Sequence, residues 1–264
     1  MSTPDPSPHC LCLARSPRIY LRGGDWGMLS HAGKSGLTLI ELGDMGRDVL
    51  PVPVSVAYEK PIREVIEWAS TYLSRPHPDI GRRGHVCPFV KTSMHKGLFY
   101  LAVQPGVPGD VTEVADSLRE YRDWFIELAA ESGAAAHYTT ILVLFPELPP
   151  DKVSGIIDGA QDLLKVDYVS HGLMIGEFHD GPPAKPGLWN PGFRPLRSPV
   201  PLLAMRHMVP TDFPFLKDDP EYLAQYLDRY GRDLPPQVAE DAMAAAREFG
   251  LEALLAAPGE VGGA

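Results

Sequence analysis

Apolar positions along the chain follow two rhythms, and the switches between them mark the predicted elements. Gly97–Val103 (GLFYLAV), Thr139–Phe145 (TTILVLF), Gly172–Phe178 and Val200–His207 are dense apolar runs of strand length. Between them the spacing lengthens to three and four. Val111, Val114, Ala115, Leu118, Tyr121, Phe125, Leu128 and Ala129 trace one face of a long helix. Asp110 is its expected N-cap, with Glu113 at the third helical position. A second helix opens at Asp151 and turns Val153, Ile156, Ile157, Ala160, Leu163 and Leu164 inward. Earlier, Pro61 suits a first helical position, and Ile62, Val65, Ile66, Ala69 and Leu73 keep helical spacing until Arg75-Pro76-His77-Pro78. Two more helices are expected near Pro220–Tyr230 and Pro236–Leu255. Residues 18–59 read as short strands between glycine-rich turns: Arg18–Leu21, Leu37–Leu42 and Val52–Tyr58.

The central order strand–helix–strand–helix–strand–strand predicts an α+β fold. Its expected form is a central mixed sheet with helices packed mainly on one face, an N-terminal β extension and a C-terminal helical cap. TTILVLF has no polar face, so the sheet centre should be covered on both sides. Residues 1–17 carry Pro4, Pro6, Pro8 and Pro17 and read as a flexible arm, 18–257 as a single domain and 258–264 as a tail. With 28 Pro and 25 Gly in 264 residues, the connections should be rigid and irregular.

A formal net charge of -10 argues against a nucleic-acid partner. No apolar run reaches the ~18–20 residues a bilayer span needs, and the polar start lacks signal-peptide architecture. Cys10, Cys12 and Cys87 make no disulfide framework. Together these predict a cytoplasmic protein with reduced thiols and no membrane partner.

The basic charge is concentrated. Residues 80–97 hold Arg82, Arg83, Lys91 and Lys96 with no acid, and residues 194–207 hold Arg194, Arg197 and Arg206 with none. Two basic islands in an acidic chain suit an anionic ligand, because guanidinium grips carboxylate or phosphate in two places at once. The first island contains Cys87, whose thiolate Arg82, Arg83 and His85 would favour. Such a thiolate serves as nucleophile or metal ligand, while a buried cysteine equally fills core. His179 and His207 end two predicted strands, where side chains commonly line sites. His9-Cys10-Leu11-Cys12 has metal-like spacing but no second ligand pair. Nucleotide-binding, zinc-protease and serine-hydrolase motifs are missing from the sequence.

Two motifs, Gly84-His85-Val86-Cys87-Pro88-Phe89-Val90 and Asn190-Pro191-Gly192-Phe193-Arg194-Pro195-Leu196-Arg197-Ser198-Pro199, resemble an uncharacterised bacterial and fungal family. More distantly, the order of a Phe/Pro/Cys motif, a buried strand, a helix and an N-P…R-x-S stretch is similar to the YqcI/YcgG family. The likeness spans roughly residues 80–216. Members of that family include haem-dependent oxygenases that oxidise the amino group of an amino acid.

The resemblance implies a haem site. Haem propionates would pair with Arg82, Arg194, Arg197 or Arg206, and the apolar ring would lie among Phe89, Trp189, Phe193 and Met208, near Asn190 and Ser198. The axial ligand would be His207, His179 or Cys87. Relatives often carry a histidine two residues after the Asn-Pro pair, where this chain has Phe193, so another residue would take that part. Asp212 or Glu177 would hold a substrate ammonium group, or cap a turn. The first expectation is thus a haem-dependent N-oxygenase acting on a small amine or amino acid. It would draw on an external reductase or peroxide, and leaves room for a homodimer. The second is a cofactor-free module that binds an anionic ligand or a partner through the two islands. The third is a Cys87-based transferase or hydrolase activated by His85.

Overall fold

A computed structural model describes residues 28–42 except 32 and 35, residues 57–185, residue 188 and residues 190–255. The predicted arm 1–17, Cys10 and Cys12, the strand Arg18–Leu21, most of Val52–Tyr58, Trp189 and the tail 258–264 lie outside the described residues.

A six-stranded mixed sheet forms the centre. It comprises β1 (Met28–Ser30), β2 (Thr38–Glu41), β3 (Phe99–Val103), β4 (Thr140–Leu144), β5 (Leu173–Phe178) and β6 (Leu202–His207). Their order across the sheet is β1-β2-β3-β4-β6-β5. β3 and β4 run parallel and the other neighbours antiparallel, so the fold is α+β.

The parallel pair needs a crossover, and α3 (Val111–Glu131) supplies it. Asp110 caps α3 by accepting the Glu113 amide at 3.0 Å. Glu113 in turn accepts from the Gly109 amide at 2.7 Å, so the first turn is tied from both ends. After β4 a continuous helix follows: α4 (Pro150–Val153), a π-helical turn at Ser154–Asp158, then α5 (Gly159–Ser170).

The alternation of β4 sends Ile141 and Val143 to one face and Leu142 and Leu144 to the other, as the apolar run TTILVLF required. The first face carries the larger core, where Leu118, Tyr121 and Phe125 of α3 meet Ala160, Leu164 and Tyr168 of α5. On the second face α1 (Glu59–Trp68), its π-helical continuation Ala69–Leu73, and α2 (Val90–His95) cover β2, β3 and β4. A third cluster joins α6 (Pro220–Tyr230) and α7 (Pro236–Phe249) to the end of α5, forming the C-terminal cap.

Three local departures from the sequence reading have simple causes. Ala57 and Tyr58, the described end of the predicted strand 52–58, lead into α1. α2 lies in the basic stretch 80–97, where no helix is predicted, and its Val90 and Met94 fall on one side over β3. α7 stops at Phe249 because Gly250 turns left-handed at φ 70°, short of the predicted Leu255.

Gly172 joins α5 to β5 at φ 69°, and a Cβ there would lie 2.1 Å from the Arg229 guanidinium. Gly172→Ala is expected to lose about 1–2 kcal/mol to the left-handed backbone alone. Arg229 must also swing away. Thermal melting should show a drop of a few degrees, and an unchanged melting temperature would refute the strain.

Candidate active site

Among the described residues, helices cover the second sheet face only over β2–β4. Over β6 and β5 the register places Gly176 beside Ala204, and Ala204 beside Leu142 of β4. Two residues with almost no side chain leave the sheet bare between Phe178–Leu202 and Met174–Arg206, the flanking pairs. An isolated glycine in a strand commonly marks a close approach of this kind.

The bare patch is the floor of a cleft of about 1210 Å³. One wall is the segment from Gly81 to Val90, another runs from Val209 to Phe215, and Lys185, Leu188, Pro195 and Leu196 close a third side. The inner surface is largely apolar, through Phe99, Leu142, Phe178 and Val86, the usual character of a small-molecule site.

Arg206 is the charged centre of this floor. Asp212, 3% exposed, accepts from its Nη1 and Nη2 at 2.7 and 2.6 Å, and also from the Val209 amide at 2.8 Å. Nη1 donates besides to the His207 carbonyl at 2.8 Å. Nε–H and the second Nη2–H make no hydrogen bond among the described residues. Burial disfavours the guanidinium charge, but Asp212 and Cys87 outweigh it and hold the pKa above the ordinary arginine value. The Arg206 Cζ stands 5.7 Å from the centroid of Phe89, within cation–π range.

Cys87 is half-buried and opens onto the same cleft. Its backbone is fixed by a hydrogen bond that the Cys87 amide donates to the Leu73 carbonyl at 2.8 Å. Arg82 lines the cleft too, but it wraps its own loop, donating to the His85 and Val86 carbonyls at 2.9 Å each. His85 itself is not among the lining residues, and among the described residues no histidine is.

The other predicted ligands go elsewhere. His179 is 3% exposed, with Nε2 on Asp158 at 2.9 Å and Nδ1 accepting from the Gly181 amide at 3.2 Å, so both nitrogens are engaged. His207 points to the opposite face, edge-on to Phe125 at 5.1 Å, and its buried Nε2 has no hydrogen-bond partner among the described residues. Burial and the nearby Arg229 lower its pKa. Met208 is packed in the C-terminal cap.

The second motif builds a neighbouring cleft of about 580 Å³. Asn190 turns the chain by accepting the Gly192 amide at 2.9 Å, and Phe193 stacks on His77 at 4.4 Å. Arg194 donates to the Pro191 and Phe193 carbonyls, Arg197 pairs with Asp180, and the Ser198 hydroxyl donates to the Val200 carbonyl. The polar groups of this motif are thus largely spent on shaping their own loop. Trp68 lines both clefts, so they adjoin.

Among the described residues no three His, Cys, Asp or Glu side chains gather as a metal site. Haem asks less of the protein, because its ring supplies four of the iron's ligands. Among the described residues no helix is long and apolar enough to cross a membrane.

No curated protein and no solved structure matches the chain. A family model described as a domain of unknown function (DUF6875) matches residues 62–241, a span that contains every residue lining either cleft. That span exceeds half of the 264 residues, so the chain belongs to the DUF6875 family.

Proposed function

We propose that the large cleft is an enzyme site for a small amine or amino-acid-like substrate, and that Cys87 is its iron-ligating or reactive atom. One observation carries the reading. Of the three residues expected to ligate haem iron, Cys87 opens onto the cleft, while His179 and His207 do not line it. Haem would therefore be held through the Cys87 sulfur, with Phe89 and the apolar floor lying against its ring. Bound there, haem would supply oxygen activation, which thiolate ligation favours.

The chain's own part is binding and exclusion of water. Arg206 offers two unused donors to a substrate acid group, and Asp212 keeps that guanidinium fixed. The apolar walls strengthen this attraction by lowering the local dielectric. The reading carries with it a cytoplasmic setting and an external reductase or peroxide.

The same free donors of Arg206 favour a second reading, a cofactor-free module for an anionic ligand. A thiol nucleophile activated by His85 draws no support, since that imidazole is not at the cleft.

The test is an absorption spectrum of protein expressed with haem precursor, before and after dithionite and carbon monoxide. A Soret band that shifts on reduction is expected, with a carbon monoxide position typical of thiolate. Cys87→Ser should abolish that thiolate signature. Colourless protein after haem reconstitution would overturn the oxygenase and leave the anion-binding module.

A further inference from the structure

The cleft continues beyond the sheet face. β5 is an edge strand, and around it the cleft reaches the flank beside α5 and α6, where Lys165, Glu177, Lys185 and Tyr222 line it. Alternation along β5 explains the turn. Leu173 and Ile175 point into the core beneath α5, and Glu177 follows them on the same side.

Glu177 is 2% exposed. Its Oε1 holds the Lys185 ammonium, and its buried Oε2 has no hydrogen-bond partner among the described residues. A buried carboxylate oxygen left unpaired is costly, and such exceptions call for a partner. Lys165 is the converse. Its Nζ rests 4.5 Å from the Tyr222 ring centroid and makes no hydrogen bond or ion pair among the described residues. Burial and the charge of Lys185 lower its pKa, against the pull of Glu177, Asp162 and Asp219. Asp219 is already occupied, capping α6 through the Glu221 and Tyr222 amides, and Asp218 is paired with Lys217.

One flank therefore presents an unfilled acceptor and an unfilled donor. We propose that it is a subsite for a polar head group carrying a hydrogen-bond donor and an acceptor separated by one or two carbons. Glu177 Oε2 accepts from the ligand nitrogen and Lys165 Nζ donates to the ligand oxygen. A simple anion would meet Glu177, and a simple cation would meet Lys165 and Lys185. A primary carboxamide or an ammonium–carboxylate pair satisfies both. The inference rests on the cleft being a substrate site, and it directs the other end of the ligand toward Arg206 and Cys87.

Three probe sets tested by calorimetry against the full chain separate the cases. Free L-amino acids present ammonium and carboxylate, Nα-acetyl amino-acid amides present the carboxamide, and the matching carboxylic acids without the amino group carry no nitrogen donor. Members of one of the first two sets should bind and the third should not. Glu177→Gln and Lys165→Met should each weaken binding at least tenfold, and Lys165→Arg should restore part of it. No binding in either of the first sets overturns the subsite, as does equal binding in the third set or in both variants. Lys165 is only part-buried, so Lys165→Met decides the matter where Glu177→Gln fails to fold. A colourless protein that still binds these probes would sink the haem reading and leave the subsite standing.

Discussion

Replacing Asp212 by Ala is expected to destabilise the fold by about 3 kcal/mol, the lower end of the range for breaking a buried ion pair from one side. Asp212 is 3% exposed and holds Arg206 through both carboxylate oxygens. It also accepts the Val209 amide, so its removal leaves that donor unpaired as well. The lower end applies because the Arg206 side chain is 27% exposed, and water in the cleft will solvate the freed charge. A double variant, Arg206→Met with Asp212→Ala, should recover much of the loss, since the cost comes from the stranded guanidinium rather than from the lost attraction. Urea denaturation of both variants is the measurement. Equal destabilisation in single and double variants would show that the pair matters through packing alone.

Gly231→Ala should be the most damaging change at any described glycine. A Cβ there would sit 2.4 Å from the Leu254 carbonyl oxygen and 2.5 Å from that of Leu227. Its backbone is right-handed, at φ -59°, so the demand is for space and not for conformation. Unlike the side chain facing Gly172, backbone carbonyls cannot swing aside. Overpacking of this kind costs about 1–3 kcal/mol. The expected escape is displacement of the 3₁₀ turn Glu252–Leu254 from the end of α6. Limited proteolysis should then cut the C-terminal segment first, while the sheet and both clefts stay protected. Wild-type resistance in the variant would refute the close packing.

The central elements were legible because each carries its own signal. Asp110 and Glu113 announce α3, and TTILVLF announces a strand buried on both faces. β1 escaped notice because Met28–Ser30 is too short to show alternation. The site was half legible. Cys87, Phe89, Arg82 and Arg206 come together, yet nothing local shows that Gly176 lies beside Ala204. That adjacency is a matter of register across a long connection. Alternation alone separates Arg206 from His207, since one residue along a strand changes the face. Lys165 and Lys185 carry no local signal in the sequence, and the edge position of β5 brings them to the cleft.

The π-helical turn at Ser154–Asp158 has a consequence for how this chain tolerates changes in length. Such a turn closes over one residue more than the α-helical turn it replaces. Deleting a single residue within it would leave α4 and α5 both in phase with the sheet. The same deletion in α5 would rotate every following side chain by about 100° and carry Leu164 and Tyr168 off the core. Single-residue deletions in this helix therefore have one permissive place. Using it would forfeit the position of Asp158, and with it the hydrogen bond that holds His179 at the end of β5.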